Sequence, residues 1–183
     1  MRIIAGEKRG LKLFSPKGDL TRPTEDRIKE NLFNILGQNF YDDIILDLFS
    51  GTGSIAVEFL SRGAKSAVLI DNNKDAIDII KKNLTKSGFF NKAKVFQKDA
   101  VELIKTFDEY EFDYIFIDPP YIDDSLYVNS IKNIIKYKIL KENGKIIIEE
   151  DASKKRDFSE FLSLEKEKKY GSTIISIWSY KWR

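Results

Sequence analysis

Asp118 and the two prolines after it end an apolar stretch, Tyr114–Ile117, that is typical of a buried strand. Successive prolines stiffen the backbone and cannot continue a sheet, so the chain must turn here. The Asp118 carboxylate and the Pro119 carbonyl are hydrogen-bond acceptors, and the Tyr121 ring can stack on a nucleic-acid base. The candidate catalytic residues are Asp118, Pro119, Pro120 and Tyr121.

This group of residues suits the methylation of an exocyclic amine on a base. The lone pair of such an amine is delocalised into the ring, which makes the nitrogen a poor nucleophile. Acceptors aimed at its N–H bonds favour a pyramidal nitrogen whose lone pair points at the methyl donor. In-line positioning of the amine, the methyl group and the sulfonium supplies the rest of the rate enhancement, and it requires no metal. A polar residue followed by Pro-Pro and an aromatic resembles the signature of methyltransferases that act on amino groups of adenine, cytosine or guanine.

A second candidate site lies in Ile45–Ala56, where an apolar strand runs into a glycine turn and then a helix start. Glycine lets the backbone approach a ligand closely. The spacing Gly-x-Gly-x-x-Ala also fits a dinucleotide fingerprint, so this turn alone leaves NAD open. Asp47 favours S-adenosylmethionine, because it lies where it can reach the cationic amino group of a methionine. The candidate cofactor residues here are Asp47, Phe49, Gly51, Thr52 and Gly53.

Two further acidic positions follow the next two predicted strands. Asp71, with Asn72 beside it, lies where a carboxylate can accept hydrogen bonds from both ribose hydroxyls of a nucleoside. Asp99 is placed to bind an adenine amino group, with Ala100 next to the ring. Asp99 is equally suited to cap the helix that we predict at Val101–Thr106, and both roles can hold together.

The strands and helices that must position these residues alternate along the chain. This alternation predicts an α/β fold with a mostly parallel, seven-stranded sheet, and Lys74–Ser87 has the apolar spacing of a covering helix that stops at Gly88. The last two runs are joined only by Gly171 and Ser172, so they must form an antiparallel hairpin. An open sheet that ends in this way is distinctive of the class I methyltransferase (Rossmann-like) fold. The predicted strands are Ile44–Phe49, Ser66–Ile70, Ala93–Gln97, Phe112–Ile117, Lys145–Glu149, Ser163–Tyr170 and Thr173–Tyr180.

The N-terminal segment carries most of the charge asymmetry. The whole chain has a net charge of +2, but residues 1–22 hold six basic and two acidic side chains. Arg2–Ala5 and Leu11–Phe14 predict a small basic hairpin, and Thr24 is the expected N-cap of a helix that ends at Gly37. Lys8 and Arg9 are therefore candidate contacts for substrate phosphates. We expect one methyltransferase domain over residues 1–183, with residues 1–40 as its basic hairpin and helix appendage.

Composition removes several classes of chemistry. The 183 residues include no cysteine and no histidine, which excludes disulfides, thiolate or imidazole metal sites, and cytosine-C5 methylation through a cysteine nucleophile. The beginning of the chain lacks the apolar stretch of a signal peptide, and no run approaches the length of a membrane span. We expect a cytoplasmic monomer with no membrane partner.

With these residues in view, the chain resembles the bacterial small-subunit ribosomal RNA guanine-N2 methyltransferase family over nearly its full length. The resemblance implies S-adenosylmethionine as cofactor, and as substrate ribosomal RNA in the small subunit or its assembly intermediate. It also implies that Arg22 and Thr24 lie beside the cofactor, and that Arg22 and Tyr121 contact substrate. Leu11 departs from the basic residue that the family often has there. The matching segments are Met1–Gly6, Arg9-Gly10, Arg22–Thr24, Asn31–Leu36, the glycine turn, Leu60–Ala64 and the catalytic tetrapeptide.

Three other functions stay open from the sequence. The tetrapeptide does not name its base, so an adenine-N6 methyltransferase on DNA or RNA is the alternative within the class. An NAD-dependent oxidoreductase fits the glycine turn, and Tyr137 with Lys141 has the spacing of a dehydrogenase pair. A catalytically silent RNA-binding module is the third alternative, although the intact tetrapeptide argues against it.

Overall fold

The computed structural model describes residues 1–16, 23–107, 111–120 and 123–181, with the backbone alone at residues 23–25. These ranges contain five α-helices and seven strands, which alternate as far as β5; β6 and β7 follow without a further α-helix. The strands are β1 (Ile44–Asp47), β2 (Ser66–Asp71), β3 (Ala93–Gln97), β4 (Phe112–Ile117), β5 (Leu140–Asp151), β6 (Leu162–Tyr170) and β7 (Thr173–Tyr180). The helices are α1 (Pro23–Leu36), α2 (Ser54–Ser61), α3 (Lys74–Ser87), α4 (Ala100–Ile104) and α5 (Ser125–Tyr137).

The strands form one sheet in the order β3-β2-β1-β4-β5-β7-β6. β7 runs antiparallel to both β5 and β6, and the pairs formed among β1 to β5 are parallel. The predicted mostly parallel sheet with a C-terminal antiparallel hairpin is therefore confirmed. The order reverses between β1 and β4, and this is the point at which open α/β sheets bind ligands beyond the carboxyl ends of their strands.

Two apolar cores cover the sheet, one on each face. On one face, α2 and α3 pack with α1 and the N-terminal segment, and on the other face α4 and α5 pack with the second core. α3 shows why such a helix forms: Ile77, Ile80 and Leu84 are buried along one stripe. The Asn73 side chain accepts from the Asp75 amide, and Gly88 ends the helix with positive φ.

Several predicted boundaries differ from the observed ones. β5 begins at Leu140 rather than Lys145, because Leu140 pairs with Phe112. The polar residues between Leu140 and Lys145 are therefore part of the strand. β1 ends at Asp47 rather than Phe49, since the chain turns from there toward the glycines. The helix after Asp99 is Ala100–Ile104, shorter and earlier than Val101–Thr106.

The N-terminal segment confirms one prediction and corrects another. The expected small hairpin is present: Arg2 and Lys12 form an antiparallel bridge, the Ile3 amide donates to the Leu11 carbonyl at 3.0 Å, and the Leu13 amide donates to the Met1 carbonyl at 3.1 Å. The hairpin loop also contacts α2, because the Glu7 amide donates to the Ser61 carbonyl at 2.7 Å. Helix α1 begins at Pro23, which suits a first helical position, so Thr24 lies inside the helix and is not its N-cap. No helix among the described residues is both long and apolar enough to cross a membrane.

Candidate active site

A pocket of about 340 Å³ opens where the carboxyl ends of the parallel strands meet. Asp118, Pro119 and Pro120 form one part of its wall, and the glycine turn forms another. The structure therefore places the two candidate sites in one cleft, although about seventy residues of chain separate them. From the predicted cofactor group, the wall includes Phe49, Gly51, Asp71, Asn72, Asp99 and Ala100.

The glycine turn has the backbone that its residue types predicted. Gly51 and Gly53 both have positive φ, at 54° and 74°, a conformation that side chains rarely adopt. A Cβ on Gly53 would lie 3.0 Å from the Leu69 side chain, so this glycine permits close packing of α2 on the sheet. A Cβ on Gly51 would have nothing within 4 Å, which fits its place on the pocket wall.

Asp71 ties the end of β2 to the glycine turn. One carboxylate oxygen accepts from the Gly51 amide at 2.9 Å, and the other accepts from the Asn73 amide at 2.8 Å. Both oxygens are held in place and each keeps further acceptor capacity. This carboxylate can bind two neighbouring hydroxyl groups without rearrangement.

Asp47 is a buried carboxyl, only 1% exposed, at the end of β1. Its Oδ1 atom has no hydrogen-bond partner among the described residues. Burial raises the pKa of Asp47 to about 7, and the charge of Asp71 adds to this effect. A buried acceptor of this kind stays costly until a cation or a donor reaches it.

Asp118 follows β4, which lies beside β1 in the sheet. Burial raises the pKa of Asp118 well above its usual range, and the charges of Glu149 and Asp47 raise it further. A carboxylate with a raised pKa is a more basic acceptor than an exposed one. Asp118 thus has the character expected of a group that faces developing positive charge.

Asp99 caps a helix, as one of its two predicted roles requires, and also lies on the pocket wall. Its side chain caps α4 by accepting from the Glu102 amide at 2.9 Å, and the same residue lines the pocket. The neighbouring Lys98 also lines the pocket, as do Leu48 and Leu126, and none of the three carried a motif that could have predicted it.

Arg156 is a further residue that the sequence did not reveal. Its guanidinium lies 4.3 Å from the centre of the Tyr127 ring and 3.4 Å from the buried Glu150 carboxylate. It also forms an ion pair with Asp124, immediately before α5. Arg156 thereby links the start of α5 to the segment after β5.

Other predicted site residues lie elsewhere. Asp47, Thr52 and Gly53 do not form the pocket wall, and Lys8 and Arg9 line a separate cleft. Arg22 and Tyr121 fall outside the described residues, as does the side chain of Thr24.

The residues of the oxidoreductase alternative are not at the pocket. Lys141 forms an ion pair with Asp113 at 2.8 Å, and the Asp113 carboxylate also accepts from the Ile44 amide. Ile44 begins β1, so this pair lies at the sheet edge opposite the glycine turn. The Tyr137 and Lys141 spacing is therefore a coincidence of packing.

The strand order, the reversed β7 and a pocket shared by a glycine turn and an Asp-Pro-Pro corner together define a class I methyltransferase. Residues 1–179 match the model of the family described as conserved hypothetical protein 95, and the chain belongs to that family.

Named relatives agree with this assignment. The chain is 35% identical to "Ribosomal RNA small subunit methyltransferase D" of Haemophilus influenzae, over 99% of this chain and 93% of the relative. It is 37% identical to a Bacillus subtilis protein provisionally named as an rRNA methyltransferase, over 82% and 83% of the two chains. A solved Escherichia coli structure, provisionally described as a methyltransferase, superposes with a TM-score of 0.85 at 27% identity, over 100% of this chain and 99% of that one.

Proposed function

We propose that this protein transfers a methyl group from S-adenosylmethionine to the exocyclic N2 amine of a specific guanine in small-subunit ribosomal RNA. One observation carries the proposal: the glycine turn at Gly51 and the corner Asp118–Pro120 line the same pocket. A donor held by the first can meet an amine held by the second.

The residues around the pocket fit the cofactor group by group. The unpartnered Oδ1 of Asp47 is a buried acceptor for the ammonium of the methionine part. The fixed Asp71 carboxylate, with Asn72 beside it, suits the ribose hydroxyls, and Asp99 with Ala100 suits the adenine. Phe49 and Gly51 line the part of the pocket between these positions. Thr52 and Gly53 belong to the glycine turn and hold its shape without lining the pocket. We place Arg22 and Thr24 beside the cofactor by family resemblance.

When bound, S-adenosylmethionine supplies an electrophilic methyl group on a sulfonium. The Asp118 carboxylate and the Pro119 carbonyl accept hydrogen bonds from the guanine amine, which directs the nitrogen lone pair at that methyl. Each pre-set acceptor lowers the activation free energy by on the order of 3 kcal/mol. Pro120 stiffens the corner, and Tyr121 stacks on the base. As the new N–C bond forms, the bond from the methyl carbon to sulfur would break and its electron pair would stay on sulfur, which leaves a neutral thioether. The methylated nitrogen becomes acidic, and its proton passes to the Asp118 carboxylate.

The substrate assignment follows the relatives named ribosomal RNA small subunit methyltransferase D in Haemophilus influenzae and Escherichia coli. The partner is accordingly the small ribosomal subunit or its assembly intermediate, and the protein acts as a monomer in the cytoplasm. We treat residues 1–183 as one methyltransferase domain in which residues 1–40 serve substrate docking, with Lys8, Arg9 and Arg22 on phosphates.

Radiolabelled methyl transfer tests this function. Unmodified small subunits, naked small-subunit RNA and duplex DNA are each incubated with the protein, and the products are digested and identified by nucleoside mass spectrometry. We expect N2-methylguanosine at one position of the small-subunit RNA. N6-methyladenosine as the product would identify the adenine alternative, and NAD binding without S-adenosylmethionine binding would overturn the methyltransferase assignment.

A further inference from the structure

A second cleft, of about 420 Å³, lies between the N-terminal segment and the end of α3, apart from the pocket. Its two walls come from distant parts of the chain. Lys8, Arg9 and Leu11 form one wall, and the other is formed by Thr85–Gly88. The charge pattern predicts Lys8 and Arg9 as phosphate contacts, but no local sequence feature places the end of α3 opposite them.

The cleft is strongly basic. Lys8, Arg9 and Lys86 line it, and Arg9 and Lys86 are exposed. Glu7, beside the cleft, pairs with Lys8 at 2.8 Å. The hydrogen bond and charge of Lys8, and then the charge of Lys92, lower the pKa of Glu7, so a fourth cation is also close by. Such a surface attracts polyanions, and each phosphate that it neutralises releases counterions.

An exposed aromatic ring adjoins these cations. Phe14 is 46% exposed, and the Lys86 ammonium lies 4.6 Å from the centre of its ring. Phe90, just beyond the cleft wall at Gly88, is 49% exposed. Large aromatic side chains next to cations are the combination that binds single strands, because every base offers a face for stacking. A duplex keeps its bases stacked on each other and gains little from Phe14.

Asn83 connects this cleft to the glycine turn. Its buried side chain accepts from the Phe14 amide at 2.7 Å and donates to the Phe14 carbonyl at 3.1 Å. The same amide group donates to the Thr52 carbonyl at 2.9 Å. The backbone of Phe14 is thus fixed relative to the turn that begins the pocket, and a strand held on Phe14 has a defined position relative to the site.

We propose that this cleft binds a single-stranded segment of the RNA substrate, with phosphates on Lys8, Arg9 and Lys86 and a base stacked on Phe14. The inference rests on the proposed function and adds Lys86 and Phe14 to the substrate contacts. Binding to both walls of the cleft holds the RNA segment that flanks the target guanine. The target guanine itself can then enter the active-site pocket.

Charge reversal at Lys86 tests the second wall, and α5 provides a matched control. Lys136 is also exposed in the last turn of a helix, and its ammonium lies 5.2 Å from the centre of the Tyr137 ring. α5 packs on the opposite face of the sheet. Binding of a fluorescein-labelled oligouridylate is measured by anisotropy across a salt series, for the wild type, Lys86→Glu, Phe14→Ala and Lys136→Glu.

We expect Lys86→Glu to weaken binding roughly tenfold and to lower the slope of log affinity against log salt by about 0.7. Phe14→Ala should weaken binding roughly fivefold or more with little change in slope, because stacking is not ionic. Lys136→Glu should match the wild type. Equal effects of Lys86→Glu and Lys136→Glu, or tighter binding of an RNA duplex of the same length, would overturn the proposal.

Methyl transfer separates this proposal from the function on which it rests. With unmodified small subunits, Lys86→Glu should raise KM about tenfold and leave kcat and S-adenosylmethionine affinity unchanged. If the wild type methylates guanine and Lys86→Glu has the wild-type KM, the cleft proposal fails and the function stands. If the wild type methylates nothing, the function fails, while the anisotropy series still decides whether the cleft binds RNA.

Discussion

Asp118 and Asp47 lie at the ends of the neighbouring strands β4 and β1, and burial, then the charge of Glu149, and then the charge of Asp47 raise the pKa of Asp118. Asp118 must be ionised to accept both a hydrogen bond and a proton. The rate kcat should therefore fall as the pH drops through the raised pKa of Asp118. Asp47→Asn removes one charge and should move this acid limb to lower pH. The measurement is kcat against pH at saturating cofactor, and an unmoved limb would mean that the two carboxyls do not interact.

Asp47 should also make cofactor binding depend on pH. Its pKa is about 7 in the free protein, and a bound ammonium group favours the ionised form. The affinity for S-adenosylmethionine should rise as the pH rises through 7, with proton release near pH 6.5 and little dependence in Asp47→Asn. Calorimetry in buffers of different ionisation enthalpy measures the released proton directly. A pH-independent affinity in the wild type would remove Asp47 from the cofactor site.

The same shift affects folding, and its sign is unusual for an aspartate. Because the folded pKa of about 7 is above the ordinary value of 3.8, the folded state binds more protons between these limits. The free energy of unfolding should fall as the pH rises from 4 to 7, by up to about 4 kcal/mol from this group. Urea titrations of the wild type and Asp47→Asn at several pH values test this, and parallel pH profiles for the two proteins would contradict it.

Asp118→Asn should separate chemistry from binding. The amide keeps the shape of the side chain, but it is a weaker acceptor and cannot take up the proton. We expect methyl transfer to fall by about a hundredfold or more, with cofactor affinity within roughly twofold of the wild type. Single-turnover transfer and calorimetry supply the two numbers. Lost cofactor binding would show that Asp118 holds the cofactor rather than the amine.

Glu58 anchors the N-terminal segment through a buried ionic cluster. It is fully buried on α2, pairs with Arg62 at 2.9 Å and Lys29 at 3.7 Å, and accepts from the amides of Ile4 and Ala5. Glu58→Gln leaves two buried cations without their counter-ion and should cost about 3 to 5 kcal/mol in the free energy of unfolding. Glu102→Gln, which disrupts the exposed pair with Lys105, should cost far less, because solvent screens that pair. Similar losses in the free energy of unfolding for the two variants would show that the cluster does not anchor the N-terminal segment.

Gly6 and Gly10 offer a test of how closely that segment contacts α2. Both have positive φ, 82° and 86°, so alanine strains the backbone similarly at either position. A Cβ on Gly6 would lie 1.9 Å from the Ser61 carbonyl oxygen, whereas one on Gly10 would have nothing within 4 Å. Gly6→Ala should lower the free energy of unfolding by at least ~2 kcal/mol more than Gly10→Ala does. Equal melting temperatures would mean that the segment does not rest on α2.

The sequence could predict the strands and the two corners of the site because each has a local pattern. Apolar runs such as Phe112–Ile117 are bounded by turn residues, and the glycines and prolines that follow β1 and β4 must lie at one edge of a parallel sheet. Fold topology then brings Gly51 and Asp118 together without any further information.

Features that depend on contacts between distant residues had no such pattern. Glu58 looks like an ordinary polar position on a helix until Lys29 and Arg62 are placed against it. Arg156 is separated from Asp124 by 32 residues, and Lys86 faces Lys8 only because the N-terminal segment lies beside α3. The sequence predicts β5 as too short, because the first half of the strand is polar and depends on the pairing of Leu140 with Phe112.

One ligand in the pocket should contact both the glycine turn and the Asp-Pro-Pro corner. A crystal structure with S-adenosylhomocysteine tests it most directly. We predict that its ribose hydroxyls bind Asp71, its amino group reaches Oδ1 of Asp47, and its sulfur faces the Pro119 carbonyl across a gap that fits an amine. A ligand bound elsewhere, or one whose sulfur points away from Pro119, would contradict the account.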